Sequence, residues 1–169
     1  MSDNQRTDQP GPGRPAGFEL DSMSMFSQTS EYALRAIVWL ATHFPEPQTT
    51  QQIAAATRVP AGYLAKVLQS LGRADLVNSQ RGLYGGFTLT RPPGEISVLE
   101  VMNAVDPIRR IESCPLGIAS HGKDLCALHR RLDNAIAHIE RAFSQSTLAD
   151  LLAEPSGSQP LCEIEVPKN

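Results

Sequence analysis

A chain of 169 residues suits one domain with its own core and appended segments, and is too short for two full-sized domains. Its apolar fraction of 41% is that of an ordinary globular protein, and no run approaches the roughly 20 apolar residues of a membrane-spanning helix. The net charge of −3 argues against nucleic acid as an average, but between residues 58 and 91 Arg58, Lys66, Arg73, Arg81 and Arg91 oppose only Asp75, a local balance of +4.

Residues 1–24 are polar, carry Pro and Gly and lack a signal-peptide core, so they read as the disordered leader of a cytoplasmic protein. The first ordered element is FSQTSEYALRAIVWLATHF. Ser27 or Thr29 can cap it, and Ala33, Ile37 and Leu40 recur at helical spacing up to the Pro45 and Pro47 loop. A threonine-capped short helix follows over Gln51 to Thr57, then a break at RVPAG. A second helix from Ala61 to Leu71 places Leu64, Val67, Leu68 and Leu71 on one face. Two short helices joined by a tight turn make a helix-turn-helix.

The stretch LVNSQRGLYGGFTLT then reads as a β-hairpin with a glycine-rich tip at Arg81 to Gly86. A hairpin directly after a helix-turn-helix is the layout of a winged helix. The fold class expected is mainly α with a small β-hairpin wing, completed by a long C-terminal helix. Ser97 and Glu100 form a capping box that opens another short helix. From about Leu128, the residues Leu128, Leu132, Ala135, Ile136, Ile139, Ala142 and Phe143 fall at three- and four-residue steps. Such a stripe requires a partner, and a second copy of the chain, giving a two-fold homodimer, covers it more readily than its own small domain. A short helix, TLADLLAE, precedes a Gly/Pro/Ser-containing tail.

The expected organisation is a leader (1–24), a winged helix-turn-helix (25–106), a Cys/His sensor loop (107–127), a dimerisation helix with a short terminal helix (128–154) and a flexible tail (155–169). In the winged helix, Ala61, Gly62 and Tyr63 open the second helix and are small or hydrogen-bonding, which suits close approach to base edges. Arg58 and Lys66 suit phosphates. On the wing, Ser79, Arg81, Gly82, Tyr84 and Gly85 form a thin tip whose arginine suits a minor groove. The partner expected is double-stranded DNA carrying a palindromic operator, with no membrane involved.

TSEYALRAIVWLA, VPAGYLAKVLQSLGRADLVNSQRGLYGGFTLTR and ISVLEVMNAVD resemble, in order and spacing, the Rrf-two family of bacterial transcription regulators over about residues 25 to 150. The resemblance implies a homodimeric winged-helix repressor with a long helix crossing between subunits and a cysteine loop before it. It places base contacts on Pro60 to Lys66 and a wing arginine at Arg81. The leader before Met25 departs from the family pattern.

The segment CPLGIASHGKDLCALH holds two of the three cysteines and two of the four histidines of the chain. Against the three cysteines and trailing histidine of the family's cluster-binding members, Cys114, Cys126 and His129 match, while Ser120 stands at the middle cysteine's place. His121 beside it is a substitute donor. Glu31 is another, because in some relatives a carboxylate from the first helix of the partner subunit completes the cluster. Three readings stay open: an iron–sulfur cluster, foremost [2Fe–2S]; a closed zinc site; and a metal-free loop whose cysteines act as a thiol pair. Cys162, in the tail, reads as unligated.

Function follows as a DNA-binding regulator of redox, nitric oxide or iron–sulfur status. The alternatives are a metal-free or zinc-stabilised regulator acting through thiol oxidation, and a module acting through a protein partner. Enzymatic activity is not expected: the chain shows no apolar pocket framework and no separate base or nucleophile motif.

Overall fold

The computed structural model describes residues 25–82, 84–114 and 125–153. The central helix is α1 (Gln28–Thr42), which packs against most other elements. Of the two possible caps, Ser27 is the one used, its Oγ accepting the Ser30 N–H at 3.2 Å. Ala33, Ala36, Ile37 and Leu40 line its buried face at three- and four-residue steps.

Helix α2 (Thr50–Thr57) opens with a reciprocal box. The Thr49 hydroxyl accepts the Gln52 N–H at 3.2 Å, and the Gln52 carbonyl oxygen accepts the Thr49 N–H at 2.8 Å. It ends at Arg58, whose φ of 55° is left-handed. After Val59 and Pro60, α3 (Ala61–Arg73) runs two residues beyond the expected Leu71. Pro60 supplies no side-chain cap, and its carbonyl accepts the Tyr63 and Leu64 N–H groups. Leu64, Val67, Leu68 and Leu71 are buried; each such side chain withdrawn from water contributes about 1.5–3 kcal/mol. A left-handed Asp75 then turns the chain, so that the Leu76 N–H reaches the Leu71 carbonyl at 3.0 Å and closes the helix.

Strands β1 (Val77–Gln80) and β2 (Gly86–Leu89) pair antiparallel, from Val77 opposite Leu89 to Gln80 opposite Gly86. The outer edge of β2 is not free. Gln48 and Phe87 exchange both backbone hydrogen bonds at 2.8 Å, and the Thr88 hydroxyl donates to the Pro45 carbonyl at 3.2 Å. The wing is thus bolted to the α1–α2 connection, which explains why Thr88 is buried as well as Leu89.

A single 3₁₀ turn (Pro93–Glu95) leads to α4 (Val98–Val105), capped by the expected Ser97–Glu100 box. Helix α5 (Ala127–Gln145) packs on α4, and α6 (Leu148–Ala153) returns to the winged helix. The Val98 N–H donates to Ser146 O and the Leu148 N–H to Ile96 O, both at 2.9 Å, and Leu148 is fully buried in the main core. The α5 stripe is only half covered. Ile136, Ile139 and Phe143 are partly buried, with the Phe143 ring 5.4 Å from Phe26, whereas Leu128 and Leu132 are 63% and 47% exposed. Among the described residues no helix is long and apolar enough to cross a membrane. Residues 1–24, Leu83, Ser120, His121 and Cys162 lie outside the described residues.

Candidate nucleic-acid interface and Cys/His site

The amino-terminal turn of α3 stands clear of the core. Ala61, Gly62, Tyr63, Ala65 and Lys66 are exposed between the buried Leu64, Val67 and Leu68. A side chain added at Gly62 would meet no atom within 4 Å, so this surface is open. Tyr63 is exposed yet engaged: its hydroxyl lies 2.7 Å from Thr29 Oγ1, and its ring meets Tyr32 edge-on at 5.4 Å. It therefore ties α3 to the start of α1 as well as facing outward.

On the wing, Ser79, Arg81, Gly82 and Tyr84 are exposed, Tyr84 to 88%. Gly82 has φ 115°, a conformation side chains resist, and the Gly85 N–H donates to its carbonyl at 2.9 Å. A Cβ at Gly85 would strike the Gln80 carbonyl oxygen and lie 2.9 Å from that of Gly82. Both glycines are therefore required by the tip's own backbone.

Among the described residues, ion pairs engage Arg35, Arg91 and Arg110 but not Arg58, Lys66, Arg73 or Arg81. The four cations of the helix-turn-helix and wing thus face solvent with their charge uncompensated by a direct partner. Arg91, counted in the basic segment, is committed elsewhere: it donates to Glu100 and to the Glu95 carbonyl, each at 2.9 Å.

Cys126 is the residue before α5, and its extended backbone turns Sγ to 3.3 Å from Nδ1 of His129, one helical turn on. Both side chains are partly buried, as is the free thiol of Cys114. Cys126 and His129 are brought together; Cys114 is not in contact with them. Glu31 is paired with Arg35. No group of three or more Cys, His, Asp or Glu at metal-binding spacing occurs among the described residues.

The approach to Cys114 is clamped. Arg110 grips the Asp133 carboxylate through two nitrogens, with Nε 2.7 Å from Oδ1, and the Ile111 N–H donates to the same oxygen at 2.9 Å. Glu140 lies 3.6 Å from the other Arg110 nitrogen. Arg110 and the Ile111 amide hold the Asp133 carboxyl down to about 2, below its ordinary value of 3.8. A carboxylate held below its unfolded value stabilises above that value and ceases to do so as pH falls through the folded one. The clamp is thus expected intact above about pH 4 and released towards pH 2. An NMR titration of the Ile111 amide proton checks this: its shift should move with a midpoint well below that of exposed aspartates.

Residues 26–154 match the family model described as Rrf2, iron-dependent transcriptional regulator. The chain belongs to the Rrf2 family. The HTH-type transcriptional regulator NsrR of Geobacillus kaustophilus is 30% identical over 131 residues, covering 74% of this chain and 87% of the relative. Among solved structures, T. potens IscR matches with a TM-score of 0.66 at 26% identity, over 80% of this chain and 93% of that one. CymR, the global cysteine regulator of B. subtilis, matches with a TM-score of 0.65 at 25% identity, over 78% and 98%. These Rrf2 relatives are transcription regulators and not enzymes, and the winged helix they share with this chain is a DNA-binding fold.

Sequence reasoning passed over three residues of this Rrf2 chain. Thr29 holds Tyr63, Gln48 supports the wing, and Asp133 holds the cysteine segment. None of the three carried a signal in residue type: Asp133 shares its face of α5 with His129, Arg130 and Glu140 and reads as an ordinary solvated acid.

Proposed function

We propose that this protein is a repressor that binds a palindromic duplex as a homodimer and reads redox, nitric oxide or iron–sulfur status through Cys114, Cys126 and His129. The observation that carries the DNA reading is the set of uncompensated cations, Arg58 and Lys66 about the α3 terminus and Arg81 on the wing, standing out from one folded unit. In this reading Ala61, Gly62, Tyr63 and Lys66 meet the major groove, while Ser79, Arg81, Gly82, Tyr84 and Gly85 meet the adjoining backbone and minor groove. The half-covered stripe of α5 supports the homodimer: a second copy would cover Leu128 and Leu132. A cleft of about 280 Å³ floored by Met102, Ile108, Ile136 and Ile139 extends that apolar surface beside the start of α1.

For the input, the donor chemistry fits a [2Fe–2S] cluster or zinc: two thiols and an imidazole, with Cys126 and His129 already adjacent. His121 and Glu31 are the further donors, Glu31 on leaving Arg35. A cluster would supply a centre that oxidants and nitric oxide attack. The protein's own part is to hold the donors between α4 and α5, so that their rearrangement moves the helix beneath. A second reading, favoured by the two free thiols, is a metal-free thiol pair.

The test is anaerobic purification of wild type, Arg81→Ala and Cys114→Ala, followed by iron, sulfide and zinc analysis and duplex binding across a salt series. Arg81→Ala should weaken binding about tenfold and lower the salt slope by about one. Cys114→Ala should lose the metal and the response to air. Binding with no salt dependence sinks the DNA reading. Equal affinity of wild type and Cys114→Ala, with and without air, sinks the sensor reading.

A further inference from the structure

The segment between α4 and Cys114 lies along α5 in a definite register. The Ile108 N–H is held by the Asn103 side chain at 3.1 Å, and Ile108 lines one cleft with Ile136 and Ile139. Three residues later the Ile111 N–H meets Asp133. As the segment advances from 108 to 111, its partners on α5 recede from 136 and 139 to 133, so the two run antiparallel.

The register has an arithmetic consequence. From Ile111 to Cys114, three residues span at most about 10 Å, less with the bend at Ser113. From Asp133 back to Cys126, seven residues of helix also span about 10 Å. The Ile111 anchor thus directs Cys114 towards the level of Cys126, along the side of α5 that carries Asp133 and, one turn earlier, His129, without closing a three-residue group among the described residues. The eleven residues between the two cysteines need not bring them together unaided.

We infer that the Arg110–Asp133 clamp is a register pin whose role is to set Cys114 opposite the Cys126–His129 pair, making the two cysteines a cooperating pair. Arg110 and Asp133 are positioning residues; neither is a ligand or a nucleophile. Asp133 fixes the main chain through Ile111, and Arg110 fixes Asp133, with Glu140 steadying the guanidinium. The inference rests on the reading that Cys114 and Cys126 act together, and it adds what makes them meet.

The pin can be measured without DNA or metal, through the equilibrium in which oxidised glutathione converts the two thiols to a disulfide and leaves as two molecules of reduced glutathione. In a metal-free Cys162→Ser background, that equilibrium constant gives the effective concentration of one thiol at the other. Asp133→Ala and Arg110→Gln should each lower it at least tenfold. The exchanged pair Arg110→Asp with Asp133→Arg should recover part of the loss, because the ion pair returns while the acceptor for Ile111 does not. Thermal unfolding and tryptophan fluorescence show which variants retain the winged helix, and Arg110→Gln leaves α5 unaltered should Asp133→Ala misfold. Equal constants in wild type and in every folded single variant overturn the pin. The sensor reading fails separately, on an unchanged DNA response of Cys114→Ala.

Discussion

Changing Leu128 and Leu132 together to glutamate is expected to convert the proposed dimer to monomers and to abolish tight binding to a two-fold operator. Both leucines sit on α5 with most or half of their surface in water, although the helix repeats apolar residues along one side. A two-fold contact would bury four such side chains, each contributing about 1.5–3 kcal/mol, and the variant would bring four carboxylates into that contact. Only the surface still exposed counts, so at about 1.4 kcal/mol per tenfold the dissociation constant should rise by at least roughly two orders of magnitude. Light scattering after size exclusion reads the mass, and duplex binding reads the consequence. The winged-helix core lies elsewhere, so thermal unfolding should still show a cooperative domain. A variant that stays dimeric would place the subunit contact on another surface.

Gly86→Ala is the second change with a large expected effect. Gly86 begins β2 where Gln48 presses against the strand, and a Cβ there would lie 2.6 Å from the Gln48 carbonyl oxygen and 2.7 Å from its carbon. Both are backbone atoms, so no side chain can swing away. Either the Gln48–Phe87 pairing opens or the hairpin shifts. Forced overpacking of this kind costs about 1–3 kcal/mol, a fall in melting temperature of several degrees for a domain of this size. Hydrogen exchange should show the Gln48 and Phe87 amides losing protection first. Gly62→Ala is the informative contrast, since nothing lies within 4 Å of that position and alanine favours helix. Folding should be unharmed, and any loss of DNA affinity would then report the added methyl on the open face of α3.

The elements that could be read from the chain are those written in local chemistry. The threonine cap of α2 and the Ser97–Glu100 capping box of α4 are such elements, and their hydrogen bonds close within one turn. The stripe of α3 and the glycines of the wing are equally local, so their placement agrees with expectation to within a residue or two. What escaped was long-range. Gln48 pairs with Phe87 through main chain alone, which leaves no mark on residue type. Arg110 and Asp133 are 23 positions apart, and a surface arginine and aspartate read the same whether paired or solvated. Arg91 shows the converse: it swelled the apparent positive charge of the segment from 58 to 91, whereas Glu100, nine residues on, holds it. For α6, the sequence marks a short helix but not what it packs against, and the answer is the winged helix, which Leu148, Leu151 and Leu152 meet.

The return of α6 bears on how this molecule can be dissected. With Ser146 and Leu148 hydrogen-bonded to the chain about Ile96, and Leu148 sealed into the same core as α1 and α3, the winged helix is finished by the last described helix. A fragment cut after residue 106 would uncover that part of the core and forfeit both bonds. Helix α5 is accordingly tied at two points, by the Asp133 clamp to the segment after α4 and at Ser146 to Val98, and is not a lever hung from a hinge. In the proposed sensor, a change at the cysteines would be felt as torsion of a span fixed at its far end, and the first groups it would meet are Ile136, Ile139 and Phe143, which lean on α4 and the start of α1.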